Sequence, residues 1–389
     1  MQLDNLFDKD SYIYLERYVN KFKKVSNEVS PKYCAMQGEN NFYIPNLSLS
    51  KKKVEIILAS PNKKIYSKLI GNKVKFFVHP DMTEELKDTL DLSKAKNRII
   101  AQPTSSTRTV LPNKENFAIK LHLNKRLSKY IRRLSPSSVK HSLQISKEMD
   151  KSIEECPITF GYLPESIGII YKEIGMIVRE MTPRPLILDK RALIPLFSLY
   201  SLDVKNPKDK PLFVQFIEKK KANPLQFFLQ NIIHPLFANM SYFIKQMGLL
   251  LESHGQNVLV EIDDKFNITR LVHRDFQSIY VDKEIRKQNN LSIPFKKHIM
   301  GEECKKEISY SLVYDQYVGQ YMLDNFLELF EKYFNINKKV VISKIKRIFK
   351  FYFNQDIFPK DCFYLMKKTT FKNNNTLFKR YNVSPKYRP

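Results

Sequence analysis

The chain has 389 residues, 43% of them hydrophobic and 12% aromatic, which is enough to bury two or three domain cores and excludes a disordered protein. No apolar run reaches the roughly eighteen residues of a membrane span, and the N-terminus MQLDNLFDKDSY has acids where a signal peptide has a basic region, so a soluble cytoplasmic protein with no membrane span is expected. The formal charge of +26 invites a nucleic-acid partner through counterion release, but the lysines are dispersed along the whole chain as a codon bias disperses them, and a site for small polyanions gains equally from a positive field.

In chain order, Asp4 to about Glu28 carries apolar residues at helical spacing (Leu6, Tyr12, Leu15, Tyr18, Val19, Phe22) and reads as one or two amphipathic helices. After Ser30-Pro31, the short runs FYIPNLSL, KVEIILAS, KKIYSKLI and KVKFFVHP predict a β-rich segment. Met82 to Ala95 is predicted helical with Asp81 as N-cap, and NRIIAQP returns to strand. In ENFAIKLHL, Phe117, Ile119, Leu121 and Leu123 alternate with Ala118, Lys120 and His122, so Lys120 and His122 are expected to look out of the sheet together. SKYIRRLSPSSVKHSLQISKEMDKSI is predicted helical with a short interruption at Pro136. Ile158 to Phe197 is β-rich, and its adjacent Arg179 and Glu180 read most simply as an ion pair. The proline- and charge-rich SLDVKNPKDKPLF is the expected domain boundary.

Asn223 onward has apolar residues every three to four positions and predicts a long buried helix or helix pair ending at Gly255. NVLVEIDDKFNITRLVHRDFQSIYV predicts a hairpin turning at Asp263 to Asn267. YSLVYDQYVGQYMLDNFLELFEKYF and KVVISKIKRIFKFYF predict two further amphipathic helices, and FYLMKKTTFKNNNTLFKRYNVSPKY an ordered edge piece. The four cysteines, Cys34, Cys156, Cys304 and Cys362, lie far apart with no CxxC pair, so neither a zinc site nor a disulfide framework is expected.

Two constellations carry chemistry. The first is Ser106, Arg108, Thr109, Lys120, Arg126 and Arg132: hydroxyls in a turn, a lysine point charge and arginine forks are three kinds of phosphate ligand. The same residues also fit an ordinary turn, strand and helix with solvated cations. The second is Glu252, His254, Gln256 and Asn257, with His273, Arg274 and Asp275 across the hairpin. Polar groups placed where an apolar helix meets an apolar strand are costly without a partner or ligand, and Asn257 and Asp275 could supply oxygen ligands to Mg2+; a satisfied polar cap is the alternative. His79-Pro80 reads as a structural histidine at a strand end. No Walker A or GxGxxG sequence is present, and HRD is not a kinase loop, because Tyr280 stands where a kinase has Asn and no DFG follows.

Taken in order, HPDMTEEL, PTSSTRT, KLHLNKRLSKYIRRL, ESHGQN and HRDFQSI resemble the motifs of the IucA/IucC family of siderophore synthetases, which build citrate-based siderophores without a nonribosomal peptide synthetase. The resemblance runs from about Phe76 to the C-terminus. It implies an α+β, cupped-hand, multi-domain fold: a reduced thumb over 1–43, β-rich fingers with the nucleotide loop over 44–203, and a helical and β palm over 204–389. It also implies use of ATP and Mg2+ to activate a carboxylate, usually of citrate or another polycarboxylate, as an acyl adenylate that is passed to an amine, polyamine or hydroxyl, and it favours a homodimer.

By motif, the resemblance assigns Ser106, Arg108, Thr109, Lys120, Arg126, Arg132 and Gln256 to the nucleotide. His254, Arg132 and His79 go to the substrate, and Glu252, Asn257 and Asp275 to the metal. His254, Arg132 and Lys120 would be catalytic. The family's earlier histidine-proline and lysine motif is not reproduced in PKYCAMQGENNFYIP, so an N-terminally shortened member is expected. The alternative function is a catalytically impaired homologue that binds an anion, a nucleotide or a nucleic acid.

Overall fold

The computed structural model describes the chain apart from residues 22–27, 37, 96, 128–129, 354–356, 366–377 and 382–383. Among the described residues an eight-stranded sheet runs, edge to edge, Glu55–Leu58, Glu165–Tyr171, Ile174–Glu180, Phe117–Lys120, Thr109–Pro112, Asn97–Pro103, Phe42–Ser50 and Lys73–Phe77. All its pairings are antiparallel. The period-two pattern puts Phe117, Ile119, Ile167, Ile169, Met176 and Val178 into one apolar cluster with Ile44, Val74 and Phe76. The opposite face carries Lys120, Glu165 and Arg179, all buried, beside the helix Pro136–Ser152, whose Val139 and Leu143 cover Ile177. One face of the sheet is thus core and the other holds charge.

A second, four-stranded sheet joins Ala192–Pro195, Val258–Ile262, Ile268–His273 and the parallel strand Phe160–Tyr162. It shares a large core with the helices Leu212–Lys220, His234–Met247, Asp324–Phe334 and Lys338–Tyr352 and with Leu3, Leu6, Leu15 and Val19 of the N-terminal segment. The architecture is the mixed α+β, cupped arrangement expected. No helix among the described residues is long and apolar enough to cross a membrane.

Several local expectations are corrected. KKIYSKLI is not a strand but the helix Lys63–Leu69: Asn62 caps it by accepting from Lys64 N at 2.9 Å, and Ile65 and Leu69 bury at helical spacing. Residues 83–89 are turns between two short 3-10 segments, although Met82, Leu86 and Leu90 keep the buried i, i+4 stripe. Asp81 is drawn away to Ser30 N (2.7 Å), and His79 supplies the cap, its Nδ1 accepting from Asp81 N. Ahead of Pro136 the chain forms a small hairpin, Arg126–Leu127 with Tyr130–Ile131, and not a helix. Pro136 at the first helical position, behind a Ser135 cap, starts the helix there. The buried helix from Pro224 ends at Gly248, before Gly255, because Gly248 takes the left-handed conformation that closes a helix (φ 59°). Phe22 and the middle of the C-terminal piece lie outside the described residues; its described ends, Cys362–Leu365 and Phe378–Tyr381, pair antiparallel.

Candidate functional site

The charged face of the large sheet meets the segment that follows Ile268–His273. Glu165 and Arg179 are register partners on neighbouring strands, and Arg179 Nη2 lies 2.6 Å from Glu165 Oε1. Lys120 stands on the next strand, its Nζ paired with Asp275 Oδ1 and 4.0 Å from Glu165 Oε1. Arg179 also reaches Asp275 Oδ2 at 3.8 Å. Two cations and two anions therefore form one buried quartet that joins sheet to loop. Lys120, expected to look outward with His122, is instead fully buried, while half-buried His122 turns to the Leu134 backbone. Arg179 and Glu180 are not an ion pair: neighbours on a strand face opposite ways, and Glu180 pairs with Arg184 at 3.2 Å.

Burial pulls the Lys120 ammonium below its ordinary pKa, with Asp275 and Glu165 opposing. For Asp275 burial works against the charge, but Lys120, Arg179 and Arg108 outweigh it and hold the carboxyl well below the usual range. Asp275 keeps a quarter of its side chain exposed and sits at φ 70°, a left-handed conformation that an aspartate adopts at a cost. It is the member of the quartet that faces out.

The loop between Asn97–Pro103 and Thr109–Pro112 is a tight turn. Thr107 N donates to Thr104 O (2.9 Å), Thr109 N to Ser106 Oγ (3.1 Å), and the β-branched Thr107 is held at φ 63°. Arg108 is buried and joins two other segments, donating through Nη1 to Arg132 O (3.0 Å) and through Nη2 to Gln277 Oε1 (2.7 Å). Burial and then the charge of Arg132 pull its pKa down to about 10. A desolvated guanidinium beside another guanidinium gains from an arriving anion. Ser106, Arg108, Thr109, Lys120 and Arg132 are thus assembled along one wall. Arg126 is bound to Glu28 through its backbone, N to Oε2 at 2.6 Å, with Nε 4.0 Å from Oε1.

The facing wall is residues 252–257. Gly255 packs against Phe197 and Tyr200, where an added Cβ would lie 2.3 Å from the Tyr200 hydroxyl, and its carbonyl accepts from Phe197 N at 3.0 Å. The residues on either side are thereby fixed. Gln256 N donates to His254 Nδ1 (3.1 Å), so a neutral His254 carries its proton on Nε2, which lies 3.4 Å from Glu252 Oε1. Asn257 Nδ2 donates to Glu252 Oε2 (3.3 Å), leaving the amide oxygen directed elsewhere as an acceptor. Gln256 Nε2 reaches Ser105 Oγ at 3.1 Å and ties this wall to the loop between Asn97–Pro103 and Thr109–Pro112. The register Val258 with His273, continued by Arg274 N to Asn257 O (2.9 Å), brings Asn257 and Asp275 to the same end of the hairpin. His79 is buried without exposed surface; its pKa falls to about 3, chiefly through burial and then through Lys125.

Among the described residues no three His, Cys, Asp or Glu side chains form a metal cluster. The donors proposed from the sequence, the Glu252 and Asp275 carboxylates and the Asn257 amide oxygen, suit a cation that takes its remaining ligands from phosphates and water, as Mg2+ does. Sequence reasoning missed Glu165, Gln277 and Glu16. Glu165 is signalled by an acid inside the apolar run ESIGII, and Glu16 by an acid within the stripe Tyr12, Leu15, Val19.

Compared by sequence with curated proteins, the chain has no match. Its fold is shared with the petrobactin biosynthesis protein AsbB from Bacillus anthracis str. Sterne, at 14% identity and a TM-score of 0.71 over 91% of this chain and 71% of that one. The ATP-bound aerobactin synthetase IucA from a hypervirulent pathotype of Klebsiella pneumoniae gives 13% identity and a TM-score of 0.70 over 94% and 73%. Aerobactin synthetase IucC from the same pathotype gives 15% and 0.64 over 90% and 71%. Residues 74–201, from the edge strand through the turn at Thr104 to Thr109 and the charged strands, match the model of the IucA / IucC family.

Proposed function

We propose that this protein activates a carboxylate of citrate or a related polycarboxylate with ATP and condenses it with an amine or hydroxyl. A carboxylate oxygen attacks the α-phosphorus, the bond to pyrophosphate breaks, and an acyl adenylate forms. The nucleophile then attacks the acyl carbon, AMP departs and the nucleophile loses a proton. The observation that carries this reading is Arg108, buried between the nucleotide loop and Gln277 with its charge opposed by Arg132: a water-poor cationic centre is what a departing polyphosphate needs.

In this reading Ser106, Thr109, Arg108 and Arg132 contact the phosphates. Lys120 acts from beneath, keeping Asp275 ionised and aimed into the cleft. His254, whose Nδ1 accepts from Gln256 N so that Nε2 is left as the donor, meets the substrate carboxylate. Glu252 and Asn257, with Asp275 nearby in the hairpin, would hold Mg2+, which would supply positive charge to the phosphates. The family's finger and palm division is assigned to 44–203 and 204–389, and the free thiols of Cys34, Cys156, Cys304 and Cys362 favour a cytoplasmic setting.

Pyrophosphate release with ATP, Mg2+, a polycarboxylate panel and an amine panel tests this. Release that requires one polycarboxylate is expected. Folded protein that releases none with any polycarboxylate overturns it.

A further inference from the structure

Glu16, on the helix Ser11–Tyr18, is far in sequence from both walls yet contacts Ser105 of one and Arg274, which bonds the other. It is fully buried. Its Oε2 accepts from Ser105 N at 2.9 Å and from Ser105 Oγ at 2.6 Å, while Oε1 lies 2.6 Å from Arg274 Nη1. Ser105 Oγ in turn accepts from Gln256 Nε2, and Arg274 Nε donates to Gln256 O at 2.8 Å. Arg274 Nη1 also bonds the Tyr12 hydroxyl, one turn before Glu16. A single carboxylate thus closes a ring that runs from the nucleotide loop through the 252–257 wall and Arg274 back to the N-terminal helix.

The chemistry favours a positioning role over simple packing. A buried carboxylate is costly unless its oxygens are matched; here Oε2 is bonded by Ser105 and Oε1 is ion-paired with Arg274, which itself holds the Gln256 carbonyl. Ser105 stands next to Ser106, whose hydroxyl holds the turn that displays Arg108. If Ser105 swings, Arg108 moves with it. We propose that Glu16 is a positioning residue that sets the nucleotide loop against the 252–257 wall before ligand arrives; its bearing on the reaction rests on the adenylation reading above.

The test compares Glu16→Gln, Glu16→Asp and, as a control, Glu261→Gln, which removes a buried carboxylate from an ion pair with Arg270 in the second sheet. Hydrogen exchange is read first, without ligand. Glu16→Gln is expected to speed exchange of the amides of Ser105 to Arg108 while the central strands stay protected, Glu16→Asp to restore part of the protection, and Glu261→Gln to leave these amides unchanged. Then ATP titration and kinetics are expected to show KM for ATP raised roughly tenfold to a hundredfold in Glu16→Gln, more than kcat falls. Unchanged loop exchange in Glu16→Gln, or the same effect from Glu261→Gln, overturns the proposal. Faster loop exchange in Glu16→Gln together with wild-type protein that binds no ATP leaves Glu16 as the loop clamp and counts against the adenylation reading instead.

Discussion

Lys120 is a cation with no exposed surface, and its value to the protein lies in what it does to Asp275. Removing one partner of a buried pair leaves the other uncompensated, so Asp275→Asn is expected to cost about 3–5 kcal/mol of stability in denaturant unfolding. The pair Asp275→Asn with Lys120→Met is expected to recover part of that loss, because two uncharged residues replace a stranded ammonium. Equal losses in the single and double variants would mean the two side chains do not act as a pair. Arg108 differs in kind: it bonds the neutral acceptors Arg132 O and Gln277 Oε1, and burial and Arg132 weigh against its charge more than Asp275 and Glu165 favour it. At this scale the sequence named most of the wall, since hydroxyl, lysine and arginine types are visible as letters. It could not show that Lys120 points inward under an aspartate 155 residues away, because that direction depends on strand register across the sheet. Arg179 illustrates the same limit: its adjacent Glu180 looked like its partner, while the pleat gave it Glu165.

Helix and loop boundaries decide where the facing wall stands. The apolar periodicity from Pro224 was legible, but its end was placed at Gly255 when Gly248 terminates the helix, and the two glycines have separate tasks. At Gly248 a side chain would meet Asp282 O at 2.8 Å and Arg286 Cγ at 2.7 Å on a backbone at φ 59°. Gly248→Ala is therefore expected to lower stability by about 2 kcal/mol or more and to weaken ligand binding, since Leu249 to Leu251 lead directly into Glu252. Wild-type stability in that variant would show that the turn tolerates a Cβ. The hairpin Val258–Ile262 with Ile268–His273 was read correctly, because Asp263 and Asn267 carry their own turn chemistry, Asn267 N donating to Asp263 Oδ1 at 2.8 Å. KKIYSKLI was not, because a seven-residue helix and a strand offer the same few apolar letters and only the Asn62 cap distinguishes them.

For the molecule as a whole, four of its seven histidines are held neutral by burial: His79, His273 and His298 have pKa values of about 3 and His141 of about 4. In the unfolded chain they titrate near 6.5, so as pH falls below that value the unfolded state binds protons the folded state refuses. Stability is full above about pH 6.5 and falls by about 1.4 kcal/mol per pH unit for each such group, about 5 kcal/mol per unit for the four together. Unfolding midpoints measured at about pH 7, 6 and 5 are expected to drop steeply, and a flat profile would mean these histidines are not buried as described. The positive charge of +26 was legible in the sequence, but what it serves was not; the fold gathers Lys120, Arg179 and Arg108 around Asp275. The most direct measurement of the cleft's chemistry is exchange of radiolabelled pyrophosphate into ATP, with Mg2+ and a polycarboxylate but no amine, in wild type and Arg108→Ala. Carboxylate-dependent exchange in the wild type, lowered at least a hundredfold in Arg108→Ala, is the predicted result, and exchange that is absent from folded wild-type protein or independent of the carboxylate would contradict it.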